Sequence, residues 1–508
     1  MMGQAILYGQ KQQGVDIQGI IDDYYAYAGE NISAGDFVEF VNGIASRTAT
    51  TSSIKSFSSY SPKSIGITLI DEDKFLIAYV IPNSSKYKCC AKVGTISGIT
   101  ITLGTEYTIA DTASDVAVIS VDTNKCIIVY TSSYDIYGVG CSIADTAITK
   151  GNLASLGTGS SSAHCNNPTL VNMTTSKAVL SYNKNNSAYV VVITLNTSTL
   201  ALSVKSNTIQ PTGYSVWGNV SICEITFTGY EDYPCYLLLG RDTNNNLGIL
   251  VPIMITSNNT VGYITTPYTF FNGSSYYQKA CQIAPDKYFI MFIDAVSGVY
   301  IGKAVICYKP SSGNTLSFGN VYTFYNSGGG VYNNSTSLLA IEENKVLLIY
   351  TTRTDDSPSK ADNIKMQIAT INNNEITFGT TNSMGSTGSA SLYPQLTKIE
   401  DNTILVAYNH NSTYGYSRLY NCEGNTPVPN FYNYTYETQV RKVTTPQFDG
   451  IAQTSGSGGS DTGHNQQVEV LTIANPTEEH DIVDTNYVSM YNEVMTTSDD
   501  NTFIVEEE

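Results

Sequence analysis

The chain has 508 residues, with 26 Lys and Arg against 44 Asp and Glu, a formal net charge of -18 and only 14% charged residues. That balance argues against nucleic acid as a partner, because a phosphate backbone calls for clustered Lys and Arg. No apolar run approaches the roughly 20 residues a spanning helix needs, so no membrane insertion is expected, and the first residues lack the basic-then-apolar order of a signal peptide.

In chain order, the first predicted element is a short alternating strand, Asp36-Phe37-Val38-Glu39-Phe40-Val41, followed by a turn at Asn42-Gly43. From Ser52 onward one pattern recurs. An acidic or polar turn leads to a short apolar run that closes on an aromatic residue: Lys74 to Tyr79, Lys125 to Tyr130, Lys177 to Tyr182, Lys287 to Phe292, Lys345 to Tyr350 and Thr403 to Tyr408. A degraded copy, Cys235 to Gly240, completes seven anchors spaced about 55 residues apart, the mark of a repeat architecture.

Within each copy, runs of β-branched and apolar residues alternate with Asp, Asn, Gly and Ser clusters, which reads as four antiparallel strands joined by tight turns. The fourth strand is placed at Ile99-Thr100-Ile101-Thr102-Leu103, with echoes at Thr315 to Gly319 and Glu375 to Gly379. A meander of this size cannot bury its own apolar face, so copies must stack, and radial stacking into a seven-bladed β-propeller does so with few exposed edges. Tandem β-sandwiches are disfavoured because they need about 100 residues each. The repeated lysine and tyrosine are then scaffold residues, the lysine closing a turn and the tyrosine ending a core strand.

Of the ten cysteines, Cys126, Cys223, Cys281 and Cys307 lie in apolar strand runs, and Cys89 and Cys90 point to opposite faces of one strand. They read as free thiols of a protein made in a reducing cytosol. After the last copy, Pro446 to Ile473 repeats the style of the N-terminal segment. Asp449-Gly450-Ile451-Ala452 echoes Asn42-Gly43-Ile44-Ala45, and Gln467-Val468-Glu469-Val470 alternates as a strand. A ring brings its ends together, so it fits into a loop of another domain. The expected all-β organisation is therefore residues 1–51 and 438–475 as two halves of a small β-barrel, 52–437 as the propeller and 476–508 as an acidic tail. The tail carries ten carboxylates and no Lys or Arg. It reads either as a solvated end or as a docking segment with Val483, Tyr487, Tyr491 and Val494 on one helical face.

The terminal segments carry a resemblance. Gly35-Asp36-Phe37-Val38-Glu39-Phe40, then Gly450-Ile451-Ala452, Gly458-Gly459 and Val468-Glu469-Val470, resemble the small β-barrel of tailed-bacteriophage virion proteins, over roughly sixty positions of a short, glycine-rich motif. The blades also resemble those of adhesin-like phage proteins. The resemblance implies a structural protein of the virion, of head-fibre or capsid-decoration type, made in the host cytoplasm and displayed on the particle. It implies capsid or tail proteins as partners, and other copies of this chain as a further partner class, with attachment through Gly35, Asp36, Phe37, Gly450, Ile451 and Ala452. A tail fibre or receptor-binding protein is the alternative placement.

Catalytic patterns are sparse. The repeated Ser-x-Asp-x-Gly-x-Thr-Trp box of sialidase-like propellers is missing, although Arg241, Arg353 and Arg418 are candidates for an anion clamp and a sialidase- or glycosidase-like enzyme is the alternative function. His164, His410, His464 and His480 show no ligand spacing, and no nucleotide fingerprint occurs. The Asp242 to Asn246 loop has calcium-type ligands without a regular register. No enzyme activity, cofactor or metal is expected. The loops on one end of the ring are instead rich in aromatic and amide side chains, as at Tyr60 and Tyr393. Trp217, Tyr214, Tyr276, Tyr277 and Tyr332 are placed on loops entering the first strands. Tyr134, Tyr137, Tyr414 and Tyr416 are placed near the hairpins between second and third strands. Rings that stack on sugar C–H faces, beside amides that bond hydroxyls, make a host-surface glycan the expected ligand.

Overall fold

The computed structural model describes residues 51–431, apart from 186, 210–215, 297, 327–329, 353–362, 373, 387–392 and 411–413, together with the backbone of strands in the two end segments. The chain divides into two compact units, residues 51–431 and the two ends, 1–50 with 432–508. The larger unit is a seven-bladed β-propeller built of antiparallel sheets, with no helix among the described residues.

Each blade starts at the channel with a first strand and runs outward. Blade 1 orders Ser64–Asp71, Lys74–Asn83, Lys86–Ser97 and Tyr107–Ala110. The second strands are buried on both faces, as in Lys74–Asn83 and Lys345–Thr352, because each lies between two neighbouring blades. That explains why they read as continuous apolar runs while other strands alternate.

The fourth strand differs from the expectation. In blades 1, 2, 4, 5 and 6 it is broken into two short segments that pair with opposite ends of the third strand, as Thr100–Leu103 and Tyr107–Ala110 do in blade 1. The break falls at a residue whose N–H still reaches the third strand: Gly104 to Val93 O, Gly319 to Ile306 O and Gly379 to Ile368 O, each at 2.8–2.9 Å. The Phe-Gly echo in the sequence therefore marks a kink rather than a strand end.

The second segment carries the lock between blades. Its third residue is buried: Ile109, Leu156, Phe270, Phe324 and, in the last blade, Phe57. Leu156, Phe270, Phe324 and Phe57 cover third-strand glycines at 138, 248, 302 and 415, where a Cβ would overlap the covering side chain. On its other side the ring meets the anchor of the next blade. Ring centroids are 5.0 Å apart for Phe57 and Tyr79, 5.4 Å for Phe270 and Phe292, and 5.0 Å for Phe324 and Tyr350. Tyr79, Tyr182, Tyr350, Tyr408 and Phe292 are at most 2% exposed. Introducing a valine at Gly302 should force Phe324 out of this seat and cost about 1–3 kcal/mol, read as a lower urea midpoint with unchanged slope.

The ring closes with a strand from its own beginning. Lys55–Ser58 forms the outermost strand of blade 7, against Tyr414–Asn421. Ser52 Oγ donates to Leu419 O at 2.7 Å, Arg418 Nε donates to Ser52 O at 3.0 Å, and Asn409 Nδ2 donates to Ser61 Oγ at 2.8 Å. The turns after the first strands also join blades: Ser176 N donates to Val121 O and Asn344 N to Ile283 O. Lys345 Nζ closes its turn on Glu342 at 2.8 Å and crosses to Glu423 O of the next blade at 2.7 Å.

In the other unit, Ile20–Ala28, Phe37–Val41, Gln439–Lys442, Gly450–Ala452 and Gln467–Ile473 form a closed barrel. Phe37 pairs with Ile451 and Val38 with Gly450, while Gly35 and Asp36 lie outside the described residues. Glu493–Thr497 and Thr502–Glu507 form a hairpin with Tyr8–Gln10 alongside. Val494 thus lies on a strand rather than the helical face read from spacing, because Val, Met and Thr favour extended pairing there. Val483, Tyr487 and Tyr491 lie outside the described residues.

Candidate functional site

The described cysteines are all free, and only Cys281 is not fully buried. Burial pushes the Cys165 thiol up to about 11 and the Cys307 thiol to about 12, so these sulfurs stay protonated and unreactive. Among the described residues no group of three or more His, Cys, Asp or Glu is placed to hold a metal ion. The calcium-type loop is satisfied internally: Asp242 Oδ1 accepts from Asn244 N at 3.1 Å and Oδ2 from Asn245 Nδ2 at 2.7 Å. Of the candidate arginines, Arg418 holds the closing strand, and Arg241 packs over the Tyr276 ring at 4.4 Å while bonding Asn246. Arg353 lies outside the described residues.

The antiparallel order puts the crossings into first strands and the hairpins between second and third strands at one end of the ring. At that end three of the described tyrosines named from the sequence are exposed. Tyr134, 39% exposed, sits in the blade 2 hairpin with its ring 4.5 Å from His164, and Tyr414, 41% exposed, lies 5.9 Å from Tyr416 in blade 7. Tyr60, on the crossing between blades 7 and 1, is 56% exposed. Tyr137 is half-buried, 5.9 Å from Tyr130, with its hydroxyl donating to Asp135 at 3.0 Å.

Four other candidates are not in loops. Trp217, Tyr276, Tyr277 and Tyr332 belong to the first strands Val216–Ile225, Ser275–Ala284 and Val331–Glu342. These strands begin early and then bulge, so aromatic residues read as loop become strand residues. Trp217 pairs with Arg241 across the sheet, and Tyr214 lies outside the described residues. Bulges in the first strands of blades 3 and 5 hold Asn167 and Tyr277 at φ of 54° and 52°, and Tyr393, just before the first strand of blade 7, has φ of 32°. Positive φ is costly for a ring-bearing side chain, and such positions gather at functional sites.

All three line a cavity of about 290 Å³ bounded by first strands of all seven blades, the central channel. Pairing with the second strands puts one residue per blade at a common level: Gly66, Ala117, Thr169, Ser221, Lys279, Ser337 and Gln395. Lys279 is the only charge among them. The residue before each gives Ile65, Val116, Pro168, Val220, Gln278, Thr336 and Pro394, apolar except at Gln278 and Thr336. At this second level only blades 5 and 6 carry polar residues. Burial pushes the Lys279 ammonium below the usual lysine range. Asp115, also lining the cavity, has its carboxyl raised by burial and is held at 3.2 Å by Thr131 Oγ1. Sequence reasoning missed Lys279 and Gln278. The signal was available, since Lys279 stands at the same offset before its anchor as Gly66, Ala117 and Thr169 before theirs.

No family model and no curated protein matches the chain. Solved structures that are similar include the Dos1 propeller, at 13% identity and TM-score 0.44 over 86% of this chain and 98% of that one. The NanB sialidase from Streptococcus pneumoniae is similar at 10% identity and TM-score 0.38, over 72% of this chain and 70% of that one. A putative 6-phosphogluconolactonase from Bacteroides fragilis is similar at 10% identity and TM-score 0.46, over 73% and 98%.

Proposed function

We propose that the chain is a non-enzymatic structural protein of a bacteriophage virion whose propeller holds host-surface or environmental glycans weakly at its hairpin-bearing end. The observation that carries the glycan reading is the pair of exposed, laterally braced rings, Tyr134 on His164 and Tyr414 beside Tyr416. An exposed ring fixed in orientation offers a stacking face at little entropic cost, and hydroxyls nearby, such as Ser160 and Ser162, supply hydrogen bonds. The virion placement rests on the resemblance of the terminal segments, whose strands pair Phe37 with Ile451 in a closed barrel.

The test is a glycan array probed with the full chain, followed by titration of any bound glycan. Losing one platform removes about 0.5–1.5 kcal/mol, so Tyr134→Ala or Tyr414→Ala should weaken binding about two- to tenfold with the melting temperature unchanged. No bound glycan, or full affinity in both variants, contradicts the reading. Release of reducing sugar from a bound glycan would favour the enzyme alternative.

A further inference from the structure

Between blades 4 and 5 the chain crosses from the outer strand Tyr268–Phe271 to the first strand Ser275–Ala284, so Asn272, Gly273 and Ser274 lie outside both ladders. Ser274 is held, because its carbonyl accepts from Ala295 N at 3.1 Å. Asn272 is exposed, and among the described residues neither its side-chain amide nor the Gly273 N–H makes a hydrogen bond. Glycine is imposed at 273. A Cβ there would stand 2.6 Å from the Phe271 ring, which packs 4.7 Å from the Phe292 ring and lies beneath Lys303 Nζ at 4.9 Å. The fold therefore sets an exposed asparagine before a residue with no side chain to shield its peptide nitrogen. Asn196 is the contrast. It is also exposed, but its Oδ1 accepts from Ser198 N at 3.1 Å and Thr199 N at 3.0 Å, and the β-branched Thr197 follows it.

We propose that Asn272 is a site of spontaneous modification, converting to aspartate and isoaspartate through a cyclic imide. Hydroxide removes the Gly273 amide proton and the nitrogen attacks Asn272 Cγ. The N–Cγ bond forms, the Cγ–Nδ2 bond breaks, and the leaving nitrogen takes a proton from water and departs as ammonia. Water then opens the imide. Hydrolysis at Cγ gives aspartate, and hydrolysis at the Asn272 main-chain carbonyl gives isoaspartate. The reaction consumes only water, and it adds one negative charge at the hairpin-bearing end of the ring. The fold accepts a carboxylate there. Aligning the outer segments by their buried residues, Ile109 and Phe270, puts Asp111 of blade 1 where Asn272 stands in blade 4.

The experiment incubates the full chain at mildly alkaline pH beside a synthetic peptide of residues 268–277, and follows both by peptide mass spectrometry and enzymatic isoaspartate methylation. The Asn272 peptide should change from amide to acid at a rate within about threefold of the free peptide, because an unbonded loop needs no prior opening. The rate should rise with pH, and the Asn196 peptide should stay an amide over the same time. Asn272→Gln should abolish the change, and Asn272→Asp should keep the wild-type melting temperature. The chain's other Asn-Gly pair, Asn42-Gly43, lies outside the described residues and is resolved as a separate peptide. Conversion more than tenfold slower in the folded chain would mean that the loop must first open at a cost above about 1.4 kcal/mol, and overturns the proposal. Equal conversion of Asn196, or a lowered melting temperature in Asn272→Asp, overturns it as well.

Discussion

Deleting residues 55–58 should abolish cooperative folding of the propeller, even though four residues of more than five hundred are lost. The strand Lys55–Ser58 is the outermost strand of blade 7, and Phe57, fully buried, is the ring that seats between Gly415 and Tyr79. Its removal opens the seam between blades 7 and 1 and strips partners from Gly415, Tyr416 and Ser417. Loss of the buried phenylalanine alone is worth about 3–5 kcal/mol, comparable to much of the stability of an ordinary domain. The milder Phe57→Ala variant should therefore remain folded at low temperature but melt far earlier. Circular dichroism melts and limited proteolysis read both, and a deletion variant with the wild-type melt would contradict the closure.

The second large effect is expected at an anchor. Tyr350 is fully buried, packs on Phe324 at 5.0 Å and Tyr325 at 5.6 Å, and its hydroxyl donates to Gln367 Oε1 at 3.3 Å. Tyr350→Ala leaves a cavity between blades 5 and 6 and should cost about 3–5 kcal/mol. Tyr350→Phe keeps the ring and loses only a neutral hydrogen bond, about 1 kcal/mol. Burial raises the Tyr350 hydroxyl's pKa, so the bond persists throughout the ordinary pH range. A denaturant series on the two variants separates packing from hydrogen bonding, and equal losses would show that the hydroxyl, not the ring, matters.

The parts of the fold legible in the sequence are those repeated under one constraint. Second strands sit between blades, so Phe75 to Tyr79 and Val346 to Tyr350 must be apolar throughout and end on a ring, and the repeat stands out. Outer segments such as Tyr322–Tyr325 are four residues long and follow a kink, so periodicity is too short to show them. Lys55–Ser58 lies far from blade 7 in sequence, and only ring closure gives it a partner. At the site, exposure was the weak point. Tyr134 and Tyr414 are exposed at hairpins between second and third strands, whereas Tyr276 and Tyr277 lie in a bulged first strand. Lys279 and Gln278 gain meaning only when the seven copies are aligned by register, because a lysine or glutamine alone in a strand looks like ordinary surface.

The most direct test of the binding account is a structure of the full chain with a glycan that the array selects. The account predicts sugar density stacked on the ring of Tyr134 or Tyr414. Sugar bound only on the opposite end of the ring, on blade sides, or to the terminal unit would contradict it.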